Sequence, residues 1–289
     1  MITLTIVRHG ESTDNLKAVW AGWADAPLSV HGMNQAKALG ASLKDTKFDA
    51  IFASDLLRAN WTAQQIHQNQ SDPKPPFVTS PLLREQHFGD AERKPFGEKG
   101  GWARGPGRTF KFPSGESLND VRARANEAIK QFIEPILQEC HGSPPSSKHV
   151  VVVAHGIFNS EFLGALLARR KDHRPLEWGY KEWLVQQTGW TKAEIGYTDE
   201  FSRTTTPSLT TNPSGPTSPS SSPPPSSSNP SDEVTEQEKV LPSLEVRILC
   251  TDVTKHLEGV HRQKGGIGSA GFDEKQGDIR KFFGGGGGA

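Results

Sequence analysis

Short apolar runs alternate with amphipathic stretches over the first 200 residues. Thr3–Val7 is a short β-rich run, Phe48–Ala53 reads as a second strand, and Val150–Val153 is apolar and short enough for a fully buried strand. Ser29 precedes a predicted helix to about Leu43, with Ala36, Leu39 and Leu43 on one face. Ser54 is placed to cap a helix from Asp55 to about Gln68. Ser117-Leu-Asn-Asp120 has the form of a capping box, with Asp in place of Glu. The helix it opens carries Val121, Ala125, Ala128 and Phe132 on one stripe, and Pro135 should kink or end it. A further helix is expected from about Phe158 to Arg169. Strands alternating with helices predict an α/β fold with a mostly parallel sheet and helices on both faces.

The pattern breaks at residues 202–231, which hold 11 Ser, 6 Thr and 8 Pro. So little apolar surface cannot offset the entropy of ordering, so residues 202–240 are expected to be a disordered insert. Alternation returns in Ser243–Cys250, which makes 241–260 the last piece of the domain begun by residues 1–201. Residues 261–289 read as a Gly-rich tail.

Composition narrows the function classes. Hydrophobic residues make up 34% of 289 and the mean hydropathy is −0.57, consistent with part of the chain staying outside any core. Lys+Arg and Asp+Glu are balanced at 33 each, which argues against nucleic-acid binding through bulk positive charge. Cys140 and Cys250 can form neither a disulfide framework nor a thiolate metal site. With no apolar run approaching the length of a membrane helix and no signal-peptide pattern, a cytoplasmic or nuclear location is expected.

Candidate chemistry lies at two similar strand endings. Ile6-Val7-Arg8-His9-Gly10 and Val153-Ala154-His155-Gly156 each place a His and then a Gly where a buried strand emerges. Ligands of open α/β sheets bind at such ends, where strand order switches. A lone His there is more often structural; two in matched context, one preceded by Arg, favour a site. No HExxH and no GxSxG occurs, and an Arg beside the histidines would repel a divalent ion. An oxyanion fits better: Arg offers a planar fork of donors, and a neutral imidazole nitrogen can attack phosphorus.

Arg8-His9-Gly10-Glu11-Ser12, with Asn15 following, resembles the signature of the histidine phosphatase superfamily, the phosphoglycerate-mutase-like clan. Further pieces of the family pattern follow in order: Ala24-Asp-Ala-Pro-Leu-Ser29 with Gly32 and Ala36, Ser54-Asp-Leu-Leu-Arg58-Ala, Leu83-Arg-Glu85-Gln-His-Phe-Gly89, Pro113-Ser-Gly-Glu116-Ser117, and Val153-Ala-His155-Gly156. Asp252-Val-Thr-Lys-His256-Leu resembles the last strand and its exit. The resemblance implies a three-layer α/β/α sandwich. It also implies that His9 is the nucleophile, that Arg8, Arg58 and His155 hold the phosphoryl oxygens, and that Glu85 is the general acid. Gly10, Ser12, Asn15, Gly22 and Gly156 are the expected phosphate and substrate contacts. No metal or organic cofactor is required. The expected partner is a small phosphorylated metabolite, and hydrolysis through a phosphohistidine is favoured, in a branch that includes fructose-2,6-bisphosphatase-like members. Mutase-type transfer is the alternative, and an inert binding scaffold is a third reading.

Between Arg93 and Lys111 lie six cations and one acid, Glu98. In the family this region helps form a substrate lid, so Arg104 and Arg108 are expected to select further negative charge; a merely solvated basic loop is the competing reading. In the tail, Gln276, Ile279, Phe282 and Phe283 resemble the spacing of peptides that dock on replication sliding clamps, although packing of the two phenylalanines back on the catalytic domain is the favoured reading.

Overall fold

The computed structural model describes residues 1–17, 19–95, 102–141, 148–170, 186–197 and 243–262. The serine- and proline-rich insert and the clamp-like residues Gln276, Ile279, Phe282 and Phe283 lie outside these ranges. A six-stranded sheet forms from β1 (Ile2–Arg8), β2 (Ala50–Ser54), β3 (Phe77–Ser80), β4 (Lys148–Ala154), β5 (Trp190–Tyr197) and β6 (Leu244–Val253), in the order β3-β2-β4-β1-β5-β6. The first four strands pair in parallel, while β5 is antiparallel to β1 and β6. Tyr197 sits opposite Leu244, so the chain on either side of the insert meets in one ladder.

Alternation along the central strands separates two cores. Ile2, Leu4 and Ile6 of β1 and Val150, Val152 and Ala154 of β4 face α3 (Leu118–Ala128), α4 (Glu134–Cys140) and α5 (Gly156–Ala168). Val7, Val151 and Val153 face the opposite way, toward α1 (Val30–Ser42) and α2 (Leu57–Gln68). The result is the expected α/β/α arrangement. β1 and β4 are neighbours, yet β1 runs on to α1 on one face and β4 to α5 on the other. Their carboxyl ends therefore flank the topological switch point, where diverging helices leave a crevice. His9 and His155 stand there.

Caps and breaks refine the sequence reading. Ser29 accepts a hydrogen bond from the Gly32 N–H, and Ser117 with Asp120 forms the reciprocal capping box. Ser54 does not cap a helix at Asp55: α2 starts at Leu57, whose N–H donates to Asp25 Oδ1 at 2.7 Å from a distant loop. Pro135 does not end its helix either. A π-turn over Ile129–Ile133 inserts upstream, and α4 continues through the proline. Such a widened turn accommodates a residue that cannot donate a backbone hydrogen bond. No helix among the described residues is long and apolar enough to cross a membrane.

Candidate active site

The cradle begins where β1 ends. The His9 N–H donates to Ala154 O at 3.0 Å, tying this residue's backbone to the neighbouring strand. Its Nδ1 lies 2.6 Å from Gly10 O. A carbonyl can only accept, so Nδ1 carries the hydrogen and Nε2 keeps its lone pair. The ring is buried beside that of His155, with centroids 4.9 Å apart. Burial, then the charges of Arg58 and Arg8, push His9 well below the usual histidine range, against the Gly10 hydrogen bond. A neutral, oriented imidazole is the form that attacks phosphorus.

His155 is fully buried and also held well below its usual range, chiefly by burial and then by Arg58. Its Nε2 lies 2.9 Å from Ser54 Oγ, while its Nδ1 has no hydrogen-bond partner. A buried ring nitrogen left this way costs free energy unless a ligand occupies it. An oxyanion would accept from Nδ1–H if the Ser54 hydroxyl donates to Nε2. Ser54, expected to cap a helix, thus orients the second histidine.

Arg58 is 1% exposed and donates to Gly22 O at 2.7 Å and Ala24 O at 3.2 Å. Gly22 has φ +53°, and a side chain there would run into the Glu92 carboxylate and the Phe88 ring. Gly22 therefore holds Arg58 through its carbonyl. Burial lowers the pKa of both Arg8 and Arg58, with Glu85 the leading opposing charge in each case. Asn15 Oδ1 accepts from both the N–H and the hydroxyl of Ser12, which shapes the loop after the first histidine. Gly156 begins α5 directly after His155.

Glu85 reaches the start of that helix. Its Oε1 accepts from the Gln86 and Phe158 N–H groups at 2.9 and 3.0 Å, and its Oε2 accepts from Ile157 N–H at 3.2 Å. The carboxylate thus occupies a natural anion position at a helix N-terminus. Its own carbonyl is fixed by Trp23 Nε1–H at 2.7 Å and by Arg124, which also pairs with Glu116 at 2.8 Å. Arg124 and Trp23 escaped the sequence reading, although Arg124 borders the apolar stripe of α3, where a charge is conspicuous.

The basic stretch divides. Arg93 and Lys94 are exposed and Arg104 is half-buried. Arg108 instead commits its guanidinium to Glu161, with Nη2 2.6 Å from Oε2, and its Nε–H to Asn119. Glu161 is nearly fully buried and pairs with Arg122 as well. Arg108 therefore anchors this stretch to α5. Trp20, Phe88, Trp102, Phe110, Phe112 and Ile157 form an apolar cluster under the same stretch.

Residues 4–196 match the histidine phosphatase superfamily, branch 1. The chain belongs to this family. A 2,3-bisphosphoglycerate-dependent phosphoglycerate mutase from Bartonella henselae is 33% identical over 184 residues, covering 57% of this chain and 87% of that protein. The fructose-2,6-bisphosphatase TIGAR B of Danio rerio is 40% identical over 149 residues, covering 50% of this chain and 58% of the relative. The match thus spans little more than half of that relative's length. Among solved structures, a mycobacterial glucosyl-3-phosphoglycerate phosphatase superposes with a TM-score of 0.51 at 25% identity, covering 66% of this chain and 89% of that one. Relatives of this enzyme family therefore include both phosphatases and mutases.

Proposed function

We propose that this protein hydrolyses phosphomonoesters through a phosphohistidine on His9. The observation that carries the reading is the pairing of a neutral His9 whose Nε2 lone pair is left open with a buried His155 whose Nδ1 awaits a partner. His9 Nε2 attacks phosphorus as the ester P–O bond breaks, and Glu85 delivers a proton to the leaving alkoxide. Oε2, with one long hydrogen bond, is the oxygen with room for that proton. Arg8, Arg58 and His155 neutralise the charge that spreads over the phosphoryl oxygens. Water then attacks the phosphohistidine, Glu85 takes its proton, and inorganic phosphate leaves with His9 restored. Exposed Arg93 and Lys94 with half-buried Arg104 support a small substrate bearing further negative charge.

Mutase-type transfer is the second reading, favoured by the 33% identity to the bacterial mutase. Rapid quench with a ³²P-labelled monoester should trap an acid-labile phosphoenzyme that His9→Ala cannot form. Free phosphate should then accumulate without added bisphosphoglycerate. Normal turnover by His9→Ala would overturn the mechanism, and transfer to a second hydroxyl in place of release would establish the mutase.

A further inference from the structure

One peptide plane governs the geometry of His9, and both of its polar groups are gripped. The Gly10 N–H donates to Thr62 Oγ1 at 3.1 Å, and Thr62 in turn donates to Arg58 O at 2.7 Å. On the other side, the His9 carbonyl accepts from the Thr188 N–H at 3.3 Å, which also reaches Arg8 O at 3.1 Å. Fixing this plane fixes the start of the next one, whose carbonyl, Gly10 O, holds the Nδ1–H of His9. The tautomer of His9 thus depends on a residue outside every motif already described.

Thr188 is fully buried and sits at φ +56°. A β-branched residue rarely adopts this left-handed conformation, so something must hold it there. Its hydroxyl donates to Gln187 O at 2.7 Å, because that carbonyl can only accept. His256 Nε2, 2.9 Å from the same oxygen, must then be the donor. Asp252, near the end of β6, accepts from the Gln186 N–H at 2.8 Å and steadies the turn from below. Arg8 N–H donates back to Gly189 O at 3.1 Å, closing the clamp. Beyond His256 the chain reaches Arg262, which pairs with Glu11 of the loop that follows His9.

We propose that Thr188 and His256 form a positioning relay that holds His9 in its Nδ1–H tautomer, so that the chain after the insert sets the nucleophile from behind. This rests on the reading of His9 as nucleophile for its kinetic consequence but not for its structural one. Neither residue touches the reacting atoms; both act through the His9–Gly10 peptide.

The test uses the full chain with ¹⁵N-labelled histidine and p-nitrophenyl phosphate as substrate. In the parent protein the His9 ring, assigned by its loss in His9→Ala, should report one neutral tautomer with hydrogen on Nδ1. His256→Ala should give averaged ring signals and lower kcat by about tenfold or more with KM changed little, the size seen when groups that orient functional histidines are removed. His256→Gln, whose amide can still donate to Thr188 Oγ1, should restore most of both readouts. Thr188→Val should match His256→Ala, and His256→Gln should rescue nothing in its background. A single Nδ1–H tautomer and parent kcat in His256→Ala, whatever its thermal stability, would overturn the relay. If the parent protein takes no phosphate onto His9, the catalytic reading fails while the ring signals still decide the relay.

Discussion

Arg58→Met separates what the site costs from what it does. The substitution keeps the aliphatic stem and removes a guanidinium that is 1% exposed, donating to two carbonyls and paired with no carboxylate at salt-bridge distance among the ion pairs of the described residues. Losing the two hydrogen bonds leaves Gly22 O and Ala24 O short of a donor, at about 1–3 kcal/mol each. Removing a buried cation returns a desolvation cost of several kcal/mol, which works in the opposite direction. Net stability should therefore move by less than about 2 kcal/mol. Activity has no such compensation: a preorganised donor aimed at transition-state charge contributes about 10²–10³ in rate, or about 3–4 kcal/mol. Arg58 is also the leading charge holding His9 and His155 neutral, so both should titrate closer to the usual range in the variant. The assay is p-nitrophenyl phosphate hydrolysis beside thermal unfolding of the same preparation. A large drop in melting temperature with kcat/KM within tenfold of the parent would refute the reasoning.

Further outcomes follow from particular contacts. His149 and His256 each fall from 6.5 to about 4 on folding, mainly through burial, so the unfolded chain takes up protons first as pH falls. Stability should be full above about pH 6.5 and decline toward about pH 4, by about 1 kcal/mol for each once solvent access is discounted, measured by urea midpoints across pH. Arg108→Ala should lower the urea midpoint by about 1 kcal/mol equivalent, since it takes one partner from buried Glu161, while Arg104→Ala should instead raise KM for a bisphosphorylated substrate more than for an aryl phosphate. Gly10→Ala would place a Cβ 2.6 Å from Gly32 O; the resulting backbone shift should cost about 1–3 kcal/mol in chemical denaturation and uncouple His9 from its Gly10 partner, abolishing turnover. Ser117→Ala removes the capping box of α3 and should cost about 1 kcal/mol in the same assay with kcat unchanged.

What was legible in the sequence is what local pattern encodes. β1, β4 and the helices beside them follow from apolar periodicity, and the matched strand endings of His9 and His155 place the two rings at one switch point. β3 and β5 were missed for physical reasons. β3 is a four-residue edge strand with two exposed positions, and β5 turns inward only Thr191, Ala193, Ile195 and Gly196, too little bulk to register as an apolar run. Ser54 differs from the expected cap because α2 begins later, at Leu57, whose N–H goes to the loop residue Asp25; Ser54 Oγ accepts only from the Leu56 N–H at 3.3 Å and also meets His155. The Arg108 pairing was not legible because a net charge count cannot see Glu161, buried on a helix 53 residues away.

These misses share a cause that bears on how the site works. Each supporting residue acts through contacts distant in sequence, on groups that the motifs name. Gly22 holds Arg58, Ser54 holds His155, Arg124 holds Glu85, and Thr62 with Thr188 holds the peptide after His9. A side chain that meets a phosphoryl oxygen must be of one chemical type, so it leaves a short motif. The group behind it need only present a donor or acceptor at one point in space, so several residue types and chain positions suffice. Catalytic precision nonetheless depends on both, because a strand-end histidine with one soft main-chain hinge would sample rotamers and tautomers that cannot attack. The sheet resolves this by bringing the turn before β5 and the exit of β6 against the end of β1, so the antiparallel edge supplies the backing that the parallel half of the fold lacks.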